Sequence, residues 1–183
     1  NNFYCIERHM LRKITLQDWK SKMYEQHYLE SKQIKISNFR CYTRLNDSII
    51  LVGTDEGLYH FNVKTDDYTR SPFFRKEYAV RAIKKTSSGE LVVFSRYHGI
   101  SIFKENTLIK KITSPSVSVM NGLIHKNNLI VQGNDGIFIH PLKRRKKNEW
   151  IKVFNGETKS VFALQNNLFI SYDKDLIITQ LAP

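Results

Sequence analysis

A two-strand pattern recurs along this chain at intervals of about forty residues. Each copy is an apolar run, a short polar turn and a second apolar run. A fainter copy opens the chain at 3–14, and four clear copies follow at 49–61, 91–103, 129–140 and 168–180. A fixed period of about forty residues is the sequence signature of a repeat architecture, in which each repeat packs against the next.

The polar turn of each clear copy keeps a fixed distance from the strand before it. Gly57, Gly99, Gly136 and Asp175 each follow an apolar strand residue by five positions, and successive members are 42, 37 and 39 residues apart. Glycine at three of the four places predicts a last turn residue with positive φ, because glycine adopts that conformation at little cost. Asp175 is a suitable substitute, since aspartate visits the left-handed region more readily than most residues.

Each repeat has room for four short strands. A weaker, edge-like segment follows each of the first three clear copies, and a candidate strand precedes each of the four, at 39–45, 79–83, 117–124 and 160–164. Four strands joined by hairpin turns in about forty residues form one blade of a β-propeller. We therefore predict an all-β fold, a β-propeller of four-stranded antiparallel blades. A β-sandwich with coincidental spacing is the alternative.

The predicted blades divide the whole chain as a single propeller region. We place them at about 1–37 (partial), 38–78, 79–115, 116–156 and 157–183 (partial). The innermost strands would direct Val80, Ala82, Val119 and Val161 towards the central channel. The pattern starts within one blade and ends on the third strand of another, which predicts a partial propeller of four to five blades. Its open ends would need a covering partner, either the remainder of the propeller or an adjacent propeller.

Residues 15–32 separate the first two predicted blades and fit two descriptions. One is an amphipathic helix that Thr15 caps, with Trp19 and Met23 near one face. The other is a strand followed by a long connection. Cys5 and Cys41 could pair in an oxidising compartment, but buried free thiols are the favoured interpretation.

The net charge of +12 is large for a chain of 183 residues. The basic cluster at 143–147 could contact nucleic acid or an anionic surface. A solvated hairpin turn is favoured, because no aromatic residues are interleaved with the basic ones to stack on bases. We expect no nucleic acid partner. No run approaches the roughly eighteen apolar residues of a membrane span, so a membrane would be reached only through segments outside this sequence.

Catalytic and metal-binding motifs are not evident. The six histidines lack metal-ligand spacing, and His9, His60 and His98 fall in or beside the recurrent turns. Adjacent carboxylates at 55–56 and 66–67 lie within turns, whereas acid–base pairs face each other across a cleft. We expect no catalytic residue, metal or cofactor. A propeller lyase or hydrolase whose site is assembled from several blades stays an alternative, because such sites leave no local motif.

The copy at 51–61 reads Leu-Val-Gly-Thr-Asp-Glu-Gly-Leu-Tyr-His-Phe. This phrase resembles the two-component-regulator propeller repeat, whose pattern is an apolar pair, Gly-Thr, a turn residue, Gly-Leu and an aromatic-rich strand. Gly53, Thr54 and Gly57 are the structural turn positions that carry the resemblance. The copy at 91–103 keeps only Gly-Ile and its strand, the copy at 129–140 keeps Asn-Asp-Gly-Ile-Phe, and the copy at 168–180 is the most degenerate.

The resemblance implies a periplasmic sensor region of a hybrid two-component histidine kinase, an inner-membrane protein of the kind that Bacteroidetes use to detect glycan fragments. An oligosaccharide ligand, and a homodimer whose rearrangement transmits the signal, are expected on this basis. The family's ligand residues are not encoded in its motif, so none is carried over. Side chains that could stack on a sugar ring are Tyr97, Phe138, Trp150 and Tyr172. The alternative is a propeller that binds proteins and no small ligand.

Overall fold

The computed structural model describes residues 2–7, 10–24, 36, 38–72, 74, 78–142 and 149–181. These residues form eighteen strands in five antiparallel sheets and contain no helix. Since a helical membrane span requires a long apolar helix, none of the described residues forms one. Two compact units are present, Asn1–Ile83 and Lys84–Pro183.

In every sheet the strands lie side by side in chain order. Blade 1 contains β1 (Asn2–Glu7), β2 (Met10–Thr15) and β3 (Ser21–Tyr24). Blade 2 contains β4 (Phe39–Arg44), β5 (Ile49–Thr54), β6 (Gly57–Asn62) and β7 (Asp67–Arg70). Blade 3 contains β8 (Val80–Lys85), β9 (Leu91–Ser95), β10 (Gly99–Lys104) and β11 (Thr107–Ile112). Blade 4 contains β12 (Val119–His125), β13 (Asn128–Gly133), β14 (Gly136–Pro141) and β15 (Ile151–Asn155). Blade 5 contains β16 (Ser160–Leu164), β17 (Asn167–Tyr172) and β18 (Asp175–Gln180).

Five successive antiparallel meanders of three or four strands are the blades of a β-propeller, so the predicted fold class is confirmed. The predicted first strands of the four later blades correspond to β4, β8, β12 and β16. The side chains expected to face a central channel, Val80, Ala82, Val119 and Val161, are buried. Val80 packs against Gly53 of blade 2.

The Gly-Thr pair of β5 has two separate structural roles. Thr54 is fully buried, and its hydroxyl donates a hydrogen bond to the Gly57 carbonyl at 3.1 Å and accepts one from the Glu56 amide at 3.0 Å. The side chain therefore closes the β5–β6 turn. Gly53 lies within the strand, where a Cβ would be 2.6 Å from both Cys41 Sγ and Val80 Cγ1. Its role is close packing and not turn geometry.

The recurrent turn glycine is required for two reasons. Gly57 and Gly99 have φ of 125° and 74°, the positive values predicted. A Cβ at Gly99 would also collide with the carbonyl oxygen of Ile112 on the next strand. The expectation for Asp175 is wrong: Asp175 begins β18, and the residue of that turn with positive φ is Asp173 at 47°. In this turn the residue with the left-handed conformation is therefore two positions earlier in the sequence than predicted.

The helical interpretation of residues 15–32 is wrong wherever the structure describes them. Thr15 ends β2, and Ser21–Tyr24 forms β3, which pairs with β2 through Leu11 and Tyr24. Trp19 lies in the connecting turn with φ of 57° and is largely exposed. Tyr24 is fully buried, so the strand conformation of this segment places its aromatic ring in the core. Residues 25–32 lie outside the described part of the chain.

The core of the first unit packs blade 1 against blade 2. Leu11 and Tyr24 of blade 1 belong to one buried cluster with Ile50, Phe61 and Tyr68 of blade 2. The ring centroids of Tyr24 and Phe61 are 4.9 Å apart in an edge-to-face arrangement. Pairs of this kind contribute roughly 0.5–1.5 kcal/mol beyond the burial of their area.

The core of the second unit packs blade 4 against blade 5. Ile130 and Ile137 of blade 4 form a buried cluster with Val161, Leu168 and Ile170 of blade 5. The residues come from the central strands of both sheets. In each unit, therefore, a blade covers its apolar face with the face of its neighbour.

Replacing Thr54 with valine should lower the free energy of unfolding by about 1–3 kcal/mol, because the side chain keeps its shape but loses both turn hydrogen bonds. Thr69→Val, on an exposed position of β7, is the matched control and should change stability by less than about 0.5 kcal/mol. Urea unfolding of both variants measures the difference. Equal effects would show that the Thr54 hydroxyl does not hold the turn.

Burial lowers the pKa of His60, in the middle of β6, below its ordinary value near 6.5. As pH falls through 6.5 the unfolded chain takes up a proton that His60 in the folded protein resists, so stability falls with pH and levels off below the lowered pKa. We expect His60→Gln to lose less stability than the original protein between pH 7.5 and pH 5, measured by chemical unfolding. The other five histidines are present in both proteins, so their contributions to the pH dependence of stability are the same in both. An identical pH dependence in the two proteins would contradict the assignment.

Candidate functional site

The turn between the second and third strands of blade 2 is held by a partly buried ion cluster. Asp55 accepts hydrogen bonds from Arg40 Nε at 3.0 Å, Arg40 Nη2 at 2.6 Å and Asn38 Nδ2 at 3.0 Å. Arg81 Nη1 lies 3.1 Å from the same carboxylate, and the Arg81 side chain is only 9% exposed. Burial alone would raise the pKa of Asp55, but the hydrogen bonds from Arg40 and Asn38 and the charge of Arg81 lower it overall. This carboxylate stays ionised and fixes the turn.

The corresponding turn of blade 4 uses its carboxylate in a similar way. Ser116 Oγ donates to Asp135 Oδ1 at 2.5 Å, and Lys152 Nζ lies 3.5 Å from Asp135 Oδ2. The hydrogen bond from Ser116, and then the charge of Lys152, lower the pKa of Asp135. Asp55 and Asp135 thus each form hydrogen bonds or ion pairs with basic or hydroxyl groups near their own turns. This agrees with their interpretation as turn residues.

Blade 3 departs from this pattern. Its strands β9 and β10 pair up to Ser95 and Gly99, which leaves a three-residue turn, Arg96–Tyr97–His98, where β5–β6 has two residues. The turn contains no carboxylate. Tyr97 is 58% exposed, and the Arg96 guanidinium lies over its ring, 4.9 Å from the centroid. An exposed aromatic ring that packing does not require is a candidate contact for a ligand.

A cleft lies beside this turn, and we call it the Tyr97 cleft. Its other wall is the connection from β11 to β12, and its volume is about 520 Å³. Val117, 83% exposed, faces solvent on that wall. The lining residues are Tyr97, His98, Gly99, Lys111, Thr113, Ser114, Ser116 and Val117. The volume lies within the range of small-molecule sites, about 300–1,000 Å³, and the lining combines apolar surface with a few polar groups.

The four aromatic side chains predicted as sugar contacts fall into two groups. Tyr97 and Tyr172 are exposed, and Tyr172 packs against Phe154 with ring centroids 5.4 Å apart. Phe138 is buried, and Trp150 donates a hydrogen bond from Nε1 to the Thr113 carbonyl at 3.0 Å. The structure therefore places Tyr97 alone of the four in the Tyr97 cleft.

Other sequence-derived candidates do not form a site. Across the described ranges, no group of three His, Cys, Asp or Glu side chains could hold a metal ion. Cys5 and Cys41 are not joined by a disulfide and are partly buried. The basic cluster at 143–147 and His9 lie outside the described residues.

Sequence reasoning missed the cleft because its two walls come from separate segments. Lys111 and Val117 are far from Tyr97 in the chain and have no motif of their own. One signal was present, since Ser95 and Gly99 are separated by three polar or aromatic residues, whereas Thr54 and Gly57 are separated by two. Aligning the copies on their glycines concealed that extra turn residue.

Comparison with known proteins shows the fold and not a family. No protein-family model matches the chain, and no curated protein matches it. The extracellular domain of a hybrid two component system from B. thetaiotaomicron superposes with a TM-score of 0.73 and 16% identity over 98% of this chain. A second such domain from that organism superposes with a TM-score of 0.73 and 14% identity over 97% of this chain. The chain spans about a quarter of the length of each, 26% and 25%.

A propeller of another kind is also similar. The WD40 β-propeller domain of Doa1 matches with a TM-score of 0.55 and 19% identity, over 72% of this chain and 43% of that one. The similarity to both kinds of protein supports the propeller fold.

Asp55→Asn should lower the free energy of unfolding by about 2–3 kcal/mol, because Arg81 and Arg40 would lose the charge that compensates them in a largely buried position. Asp47→Asn is the matched control, since Asp47 forms an exposed ion pair with Arg44 at 3.3 Å, and its loss should cost less than about 1 kcal/mol. Denaturant unfolding compares the two. If Asp47→Asn is as destabilising as Asp55→Asn, the ion cluster around Asp55 does not contribute more to stability than an exposed ion pair.

Proposed function

We propose that this chain is part of the ligand-sensing, extracytoplasmic propeller of a hybrid two-component histidine kinase, and that it binds a glycan fragment in the Tyr97 cleft. The observation that carries the proposal is the exposed Tyr97 ring in the turn of blade 3, which has three residues where the turn of blade 2 has two. The similarity to two extracellular domains of hybrid two component systems, over nearly all of the chain, supports the context. The location would be the periplasm.

The chemistry of the cleft suits a sugar. A pyranose ring has an apolar face of C–H groups, which packs on an aromatic ring, and a rim of hydroxyls that need hydrogen-bond partners. Tyr97 supplies the ring, while Lys111 and the polar groups of the β11–β12 connection supply partners at its side. Binding without turnover fits this arrangement better than catalysis, because the carboxylates of Asp55 and Asp135 are engaged in holding their own turns.

Signal transmission would then be a population shift. A ligand that contacts both walls of the cleft favours the arrangement in which those walls have the right spacing, and a kinase dimer would respond to that change. The kinase activity itself would reside in segments outside this sequence.

A protein-binding propeller without a small ligand is the second candidate, and the outer face of blade 5 favours it. Phe162, Leu164, Leu176 and Ile178 are all more than half exposed, although they are large and apolar. Phe162 stacks on Phe169 with ring centroids 4.6 Å apart. Exposed apolar faces of this kind mark protein contacts.

Tyr97→Ala should abolish glycan binding if the cleft is the ligand site, because the variant removes the stacking surface and leaves the turn backbone in place. Phe162→Ala, an exposed aromatic residue on blade 5, is the control and should leave glycan binding unchanged. Thermal shift against a panel of neutral and acidic oligosaccharides, followed by calorimetry, provides the measurement. The proposal is wrong if no glycan in the panel stabilises the protein, or if both variants bind as the original protein does.

A further inference from the structure

The three strands of blade 5 separate their side chains onto two faces. Because side chains alternate along a strand, the pairing of β16 with β17 and of β17 with β18 aligns each set of residues across the sheet. Val161, Leu168 and Ile170 lie on one face and are buried in the core shared with blade 4. The opposite side is the outer face of blade 5. It carries two serines, an asparagine, a glutamine and five large apolar residues, which are Phe162, Leu164, Phe169, Leu176 and Ile178.

The outer face repeats the positions through which blade 4 contacts blade 5. Counted from the first residue of the third strand, Ile137 of blade 4 and Leu176 of blade 5 occupy the same place. Ile137 is fully buried in the core between the two blades, whereas Leu176 is 58% exposed. Blade 4 therefore shows how these positions are covered, which is by the face of another sheet. Burying apolar surface in this way is favourable in proportion to its area.

The outer face carries no charge. All nine of its residues are apolar or uncharged polar ones, although the chain as a whole has a net charge of +12. Two copies of so basic a protein repel each other wherever their lysines and arginines meet. On an uncharged apolar face this repulsion is weak and the gain from burial is large. A second copy supplies an identical face, and identical faces can pair about a two-fold axis.

The size of the outer face indicates how strong such a contact can be. Its three strands contain five, six and six residues. By the spacing and rise of strands, they form a surface of roughly 14 Å by 18 Å. A stable protein interface of standard size buries about 800 Å² of each partner, which is more than this face offers. The outer face therefore fits a weak dimer that forms and separates reversibly.

We propose that two copies of this chain associate through the outer face of blade 5, sheet against sheet, in a weak symmetric dimer. Phe162 on the first strand and Ile178 on the third strand flank Phe169 on the second, and these three residues form the centre of the contact. The inference adds a dimer interface to the proposed sensor. Its test uses no sugar, so either proposal can fail without the other.

The test is sedimentation velocity of the whole chain from about 1 μM to about 1 mM, the range of weak complexes, at low and at high salt. The measurement is repeated on the double variant Phe162→Gln/Ile178→Gln, which makes the centre of the outer face polar. Leu108→Gln/Ile109→Gln is the matched control, because both residues are large, apolar and about half exposed on β11 of blade 3. Thermal unfolding establishes that each variant is folded. Leu176→Gln replaces the double variant if that variant does not fold.

The original protein should pass from monomer to dimer as its concentration rises, and high salt should favour the dimer because it screens the repulsion between copies. The outer-face variant should weaken association about tenfold or more, since residues at the centre of an interface carry most of its energy. The control variant should associate as the original protein does. A monomer over the whole range overturns the proposal and leaves the face to a partner other than a second copy. A dimer that the outer-face variant does not weaken, or that high salt dissociates, also overturns it.

Discussion

Each blade of this protein has two apolar faces and cannot bury both of them alone. All five residues of β9 are buried, as are five of the six in β5, so side chains pointing to either side of these central strands lie in a core. A sheet only four strands wide achieves this by stacking its faces on neighbouring sheets. Blade 1 packs on blade 2 through Tyr24 and Phe61, and blade 4 packs on blade 5 through Ile130 and Leu168. The forty-residue repeat is the consequence in sequence of that requirement.

Stacking fixes the strands and leaves the turns free to differ. The turns of blades 2 and 4 use their aspartates to attach the turn to a residue of the same sheet, Arg40, or of the preceding connection, Ser116. The turn of blade 3 has one more residue and displays Arg96, Tyr97 and His98 to solvent. Its strands are as well buried as those of the other blades, so folding does not account for an exposed tyrosine at this place. This exposed tyrosine is the basis of the ligand-binding proposal.

The sequence was informative wherever a residue's environment is set by near neighbours. Thr54 and the glycines at 57 and 99 could be recognised because a turn constrains its own residues. The segment at 15–32 stayed open between helix and strand because both can place apolar side chains on one face, and for its described part only the pairing of Tyr24 with Leu11 decides between them. The Tyr97 cleft was not predictable, since Lys111 and Ser116 reach it through pairing and packing that no local pattern encodes.

Hydrogen bonds connect the turn of blade 3 with blade 4 and with the segment before blade 5. The Arg96 carbonyl accepts a hydrogen bond from the Val119 amide at 2.8 Å, which ties the turn of blade 3 to the first strand of blade 4. Ser116, on the far wall of the cleft, is bound to Asp135 in the turn of blade 4, and the Asp135 carbonyl accepts from the Gly156 amide at 3.1 Å before blade 5 begins. A ligand that bridges Tyr97 and the Ser114–Val117 wall would therefore act on a continuous series of hydrogen bonds. Because packed sheets resist gradual deformation, the population shift that we propose would act through this series of hydrogen bonds.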